Sequence, residues 1–154
     1  VETVVEAARA DVNAAGEKYG TRANETSAWN FCITGSGKVL EVESAEKASR
    51  TRLVIDVPPH DGTADCKVQV SSVIKTNALR DSVGFLKLDD FANQVEFAEL
   101  TKAFNAMVQK TVLKDLDASH LGGKEITFTG SVALTKFENP DDMLIIPIEL
   151  TVGE

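Results

Sequence analysis

The chain has 154 residues, enough for one domain with a real hydrophobic core, and its 43% apolar and 26% charged residues are ordinary for a globular protein. A formal net charge of −8 counts against a phosphate backbone as the main partner, because that contact draws its affinity from Lys and Arg. No apolar run approaches the roughly 20 residues that cross a bilayer. The start, Val1-Glu2-Thr3, shows neither an initiator Met nor a signal-like pattern. The numbered chain is therefore expected to be an excised piece, with any export signal or lipid anchor upstream.

Val4/Val5, Ala8, Val12 and Ala15 recur at helical spacing and predict a helix from Val1 to Lys18, with Gly20 as a left-handed cap. Its narrow, Ala-rich face is expected to lie on the main domain or to continue an upstream segment. This divides the chain into an N-terminal helix (1–20), a polar linker (21–27) and one domain (28–154). Trp29, Phe31 and Ile33 alternate as a strand, Gly35-Ser36-Gly37 interrupts, and Leu40 and Val42 resume in the opposite phase. One long strand with a glycine bend fits this better than two short ones. Glu43 to Ser49 reads as a turn. Leu53, Ile55 and Val57 form a second strand halted by Pro58-Pro59, and Cys66, Val68 and Val70 a third.

From Asn77 to Glu99 runs a long connection, with a short helical turn at Leu79 to Val83 and with Phe85, Leu86 and Leu88 expected to be buried. Asn93 followed by Glu96 resembles a capping box. From there Phe97, Leu100, Phe104, Met107/Val108, Val112 and Leu116 keep a helical stripe that ends by Asp117 to Ser119. Ile126, Phe128, Gly130, Val132 and Leu134 make a fourth strand. Leu144, Ile146, Ile148, Leu150 and Val152 make a fifth, in which Pro147 suggests an edge position. Three strands, a helix and two strands, with a bend in the first, is the order of an OB-fold: a mainly β, five-stranded Greek-key barrel with a helix between strands three and four. An open α+β sheet is the competing arrangement.

The residues that reach furthest toward an identity are Lys18-Tyr19-Gly20, Trp29-Asn30-Phe31, Gly35-Ser36-Gly37-Lys38-Val39, Ala78-Leu79-Arg80-Asp81 and Phe91-Ala92-Asn93-Gln94-Val95. Together they resemble a family of predicted periplasmic lipoproteins of unknown function, often encoded beside sugar ABC transporters. The Arg-Asp and Asp-Phe-x-Asn-Gln elements are the most specific part. Leu88-Asp89 departs from the family's more usual aromatic-Asn pair. The resemblance implies an OB-like fold, a periplasmic setting and an N-terminal lipid anchor absent from this chain. It implies no activity.

Candidate ligand-binding residues fall in two groups. Arg80 offers a guanidinium fork for a carboxylate, phosphate or sugar hydroxyl, with Asp81 to orient it; a structural ion pair is the favoured alternative. Around it, Asp90, Phe91, Asn93 and Gln94 would stack on and hydrogen-bond a sugar, or cap the helix and satisfy buried backbone groups. The second group is the outward face of strands two and three, where OB-folds bind: Arg52, Val54 and Asp56, then Lys67, Gln69 and Ser71. It carries no aromatic side chain, which argues against stacked single-stranded nucleic acid. The acids around Asp89 and Asp90 follow no EF-hand spacing, and His60 and His120 lack ligand-spaced partners, so no metal is expected. No nucleophile elbow or phosphate-binding glycine loop is present, so no catalytic residue and no cofactor are assigned. Cys32 and Cys66 alternate onto opposite faces and are expected to be free thiols.

The expected function is thus a non-enzymatic periplasmic binding or accessory module, possible partners being a transporter component or a small glycan. An oligonucleotide-binding OB-fold is the first rival, on fold analogy alone, and a hydrolase using Asp81 or Asp90 as general base the second.

Overall fold

The computed structural model describes residues 1–44, 51–71, 73–86 and 88–153. The amino-terminal segment forms two helices, α1 (Glu2–Ala10) and α2 (Val12–Tyr19), where the periodicity predicts one. Asp11 divides them. It takes an extended backbone (φ −162°, ψ 113°), and its carboxylate accepts the amides of Asn13 and Ala14, so it caps α2 instead of continuing α1. Gly20 is likewise extended and not left-handed (φ −109°, ψ 176°). Both helices rest on the β domain. Val4, Val5, Ala8 and Ala15 join its core, and Gly16 lies so close to the Trp29 indole that any side chain there would collide with the ring. Past the helices, Thr21 and Asn30 exchange two backbone hydrogen bonds (2.8 and 2.7 Å), so the predicted linker begins with a β-bridge.

Five strands follow: β1 (Trp29–Glu43), β2 (Arg52–Asp56), β3 (Cys66–Gln69), β4 (Glu125–Leu134) and β5 (Leu144–Val152). They pair in the ring β1-β2-β3-β5-β4, antiparallel except for the β3–β5 contact. β1 serves both sides: Trp29 to Lys38 pair with β4, and Lys38 to Glu43 with β2. The glycine bend makes that possible. At Gly37 a Cβ would run into Ile55 Cγ2 and stand 2.9 Å from the Asp56 carbonyl, so only glycine lets β2 approach there. β1 runs through Glu43, and the expected turn from Glu43 to Ser49 falls mostly within residues 45–50, which lie outside the described residues.

At Pro147 the fifth strand bulges. Thr129 pairs with Glu149 and Gly130 with Pro147, which leaves Ile148 as the extra residue and changes the phase. Ile145 rather than Leu144 therefore enters the core. β3 pairs with β5 only at Leu144 and Ile145, so Pro147 comes after that partner has ended.

Between β3 and β4 lie α3 (Ala78–Asp81), a 3-10 turn (Leu88–Asp90) and α4 (Gln94–Val108), which widens into a π turn at Gln109–Leu113. The start of α4 follows the sequence signal: Asn93 Oδ1 accepts the amides of Val95 (2.9 Å) and Glu96 (3.0 Å), and Glu96 reaches back to the Ala92 amide (3.2 Å). Asn93→Ala is expected to cost about 1 kcal/mol, read as a fall in the denaturant midpoint at constant slope. The stripe keeps its phase through the π turn. Phe104, Val108, Val112 and Leu116 face the core as the stripe predicts, with Asn105 and Leu113 buried beside them, while Met107 is left half exposed. Val108 and Leu113 belong to the barrel core, so the carboxyl-terminal part of this rod seals it. Asn105 Nδ2 donates to the carbonyls of Ile74 (3.3 Å) and Thr76 (3.2 Å), pinning the chain that leaves β3.

Candidate functional site

The sequence-predicted residues assemble at two separate places. At the α3–α4 corner, Arg80 donates from Nε to Asp81 Oδ1 (2.6 Å) and from Nη1 to Thr101 Oγ1 (2.9 Å), while its guanidinium carbon stands 3.8 Å from the centre of the Phe97 ring. Phe91 packs against Phe97 with ring centroids 5.2 Å apart. Arg80 thus joins α3 to α4 by a hydrogen bond and cation–π stacking, while its ion pair to Asp81 stays within α3. The Asp81 carbonyl accepts Thr21 Oγ1 (3.1 Å), which ties the corner to the chain entering β1. Asn93 is occupied as the cap of α4; Gln94, its first residue, is exposed, as is Asp90 in the preceding turn.

Phe85 departs furthest from expectation: predicted to be buried, it is 74% exposed. Leu86 is half-buried, whereas Lys87 and the Leu88 side chain lie outside the described residues. Val95, at the start of α4, is also exposed (68%), and Met107, near the other end of that helix, is 51% exposed.

The second place is the β2–β3 face, which is not the open platform that alternation suggests. Val54, Asp56, Lys67 and Ser71 are buried. Lys67 Nζ donates to both oxygens of Glu43 (2.7 and 2.8 Å) and to Asp141 Oδ1 (2.9 Å), and Arg52 reaches the same Asp141 oxygen (3.3 Å). Burial alone would lower the Lys67 pKa; the hydrogen bonds and charges of Glu43 and Asp141 outweigh it and hold the ammonium above its ordinary value. The Lys67 hydrogen bond in turn keeps Asp141 below the usual carboxylate range. Gln69 Nε2 donates to Ser71 Oγ (2.8 Å) and to the Val73 carbonyl (2.7 Å). Among the described residues, both cations of this face, Arg52 and Lys67, therefore already have an anion.

Cys32 is exposed and Cys66 buried, so the thiols face opposite sides of the barrel as alternation predicts. Burial, with a contribution from Asp65, pushes the Cys66 pKa up to about 12, so this thiol stays protonated at neutral pH. Among the described residues no three His, Cys, Asp or Glu side chains converge as a metal site, and no helix is long and apolar enough to cross a membrane.

Residues 1–151 match the model of a family described as predicted periplasmic lipoprotein, DUF2291. The chain belongs to that family. The match agrees with the resemblance carried by the Arg-Asp and Asn-Gln motifs and supports a periplasmic compartment. No curated protein matches the chain. Among solved structures, an OB-fold protein from Thermotoga maritima is similar, with 20% sequence identity and a TM-score of 0.77 over 99% of this chain and 85% of that one. At that identity the likeness speaks for the OB-fold alone.

Sequence reasoning missed the residues that organise the ends of β2 and β3. Asp65 accepts Arg9 Nη2 (2.5 Å) and the Val57 amide (2.9 Å), and Asp56 accepts the Gly62 amide (2.9 Å). A local signal existed: an acid at each end of an eight-residue Pro- and Gly-containing loop (57–64) is a common way to satisfy turn amides.

Proposed function

We propose that this family member is a non-catalytic accessory module, held at the membrane by a lipid upstream of Val1, that docks a protein component of a sugar-uptake transporter through its α3–α4 corner. The observation that carries the docking surface is a contrast in side-chain use. Arg80, Asn93, Lys67 and Gln69 spend their hydrogen bonds inside the protein, whereas Phe85 and Val95 turn large apolar surfaces to solvent. A sugar site needs polar arms with donors to spare, while a protein interface is built round apolar anchors within a polar rim. The anchor and the sugar link rest on the family resemblance. Oligonucleotide binding has no support here, since Arg52 and Lys67 are neutralised by Glu43 and Asp141.

The test is photo-crosslinking in cells with the reactive residue at position 95. A single transporter component should be captured, and Phe85→Glu should abolish the capture while changing stability by no more than about 0.5 kcal/mol. A saturable thermal shift with one sugar, lost in Arg80→Ala, would instead make this a glycan-binding module.

A further inference from the structure

Most of the fifth strand is paired along one side only. β3 meets it at Leu144 and Ile145 and ends at Gln69, whereas β5 runs on to Val152. On the other side β4 stays in register with it from Thr129↔Glu149 to Ile126↔Val152. At the end of that ladder the Gly153 amide donates to the Glu125 carbonyl (2.8 Å). Backbone groups alternate sides along an antiparallel strand, so those of Thr151 and Glu149 also face β4. The N–H and C=O of Leu150 and Val152 therefore point away from β4, and among the described residues they have no hydrogen-bond partner.

The side chains beside this edge are incompletely covered as well. Leu150 and Val152 pack against the core, yet both are only half-buried, while Phe128 and Ile126 opposite them on β4 are fully buried. Glu149 and Thr151, on the outer face, are exposed. Pro147 and its bulge blunt the strand where β3 stops, a common guard against stray pairing. From Ile148 to Val152 no Pro, Gly or Lys repeats that guard.

We propose that this edge pairs with the same edge of a second copy, β5 antiparallel to β5, so that the two barrels form a C2 dimer through one continuous sheet. The match is self-complementary. With Leu150 of one copy opposite Val152 of the other, and the reverse, every backbone donor and acceptor left open on these residues finds its counterpart. Thr151 then meets Thr151 across the two-fold axis, a favourable pair, and Glu149 falls opposite Gly153, so no like charges face each other. An extended backbone is what fills a row of open strand groups, and this chain itself carries one that fits.

Sedimentation and amide hydrogen exchange, followed as the full chain is concentrated from about 10 µM to about 1 mM, test this. Dimer should form over that range. The Leu150 and Val152 amides, open in the monomer, should gain about tenfold protection or more as it does, while Glu149 and Thr151 stay protected throughout by β4. Thr151→Lys, at an exposed position, should leave the circular dichroism unchanged and the chain monomeric, because it sets like charges on the axis. In a Cys32→Ser background, Thr151→Cys should give a disulfide-linked dimer with oxidised glutathione, since facing side chains of such a pair lie close enough to bridge. Thr127→Cys, one strand in from the edge, should not. Leu150 and Val152 amides already protected in the monomer would show the edge to be covered and overturn the proposal. A chain that stays monomeric with the edge open would assign that edge to an extended segment of another protein instead. A dimer that leaves those amides open, or survives Thr151→Lys, would be joined elsewhere; each of these outcomes overturns the self-pairing.

Discussion

Phe31→Ala is expected to lower the unfolding free energy by about 3–5 kcal/mol and the Tm by about 10 °C. Phe31 is fully buried in β1, and its ring edge also reaches Gly20, at the end of α2. The space left by the ring is bounded by β1 and β4, which are hydrogen-bonded in register from Trp29↔Leu134 onward and have little freedom to collapse into it. Such sites lie toward the upper end of large-to-small substitution costs. A denaturant titration should show the midpoint falling with an unchanged slope. A loss below about 1 kcal/mol would mean that the helices and barrel do not share one packed interior.

Lys67→Ala is expected to cost about 1–2 kcal/mol at neutral pH. That lies below the 3–5 kcal/mol typical of breaking a buried pair, because Glu43 and Asp141 are 39% and 60% exposed and regain water once the ammonium has gone. Lys67→Met should recover part of the loss by restoring the apolar stem. The pH dependence has a definite sign. Asp141 is held below its ordinary value, so its share of the stability is present above about pH 3.9 and fades as pH falls through the lowered value. Lys67 is held above its ordinary value, so its share is present below about pH 10.4 and is lost as pH rises through the raised one. Unfolding midpoints of wild type and Lys67→Ala should therefore draw together as pH falls through the lowered Asp141 range. A gap that stays equal from neutral pH down to the acid end of the native range would show that the network contributes through packing alone.

What the sequence made legible was whatever depends on neighbours along the chain. The glycine bend in β1, the Asn93 cap and the opposed faces of Cys32 and Cys66 each follow from a local pattern, and all three are found. Asp11 was hidden because one acid amid Ala-rich helix formers looks like an exposed helical residue, not a cap. Alternation placed Lys67 on the outward face but not what covers it, since Glu43 and Asp141 come from 24 and 74 residues away. Phe85 was assigned to the interior by its hydrophobicity, yet its connection belongs to neither the barrel nor a long helix. The motif at Arg80 was legible as an ion pair. Its stacking on Phe97 was not, because that contact exists only once α4 has folded back over α3.

The two-sided pairing of β1 carries a consequence for how the molecule is made. Trp29 meets Leu134, a partner about a hundred residues downstream. A polypeptide delivered amino end first thus presents the Trp29–Lys38 half of its longest strand without its β4 partner until most of the length has emerged, although the Lys38–Glu43 half can pair with β2 early. Such late, distant zippering slows maturation and invites edge-to-edge clumping. The finished barrel, by contrast, leaves little of that strand unpaired.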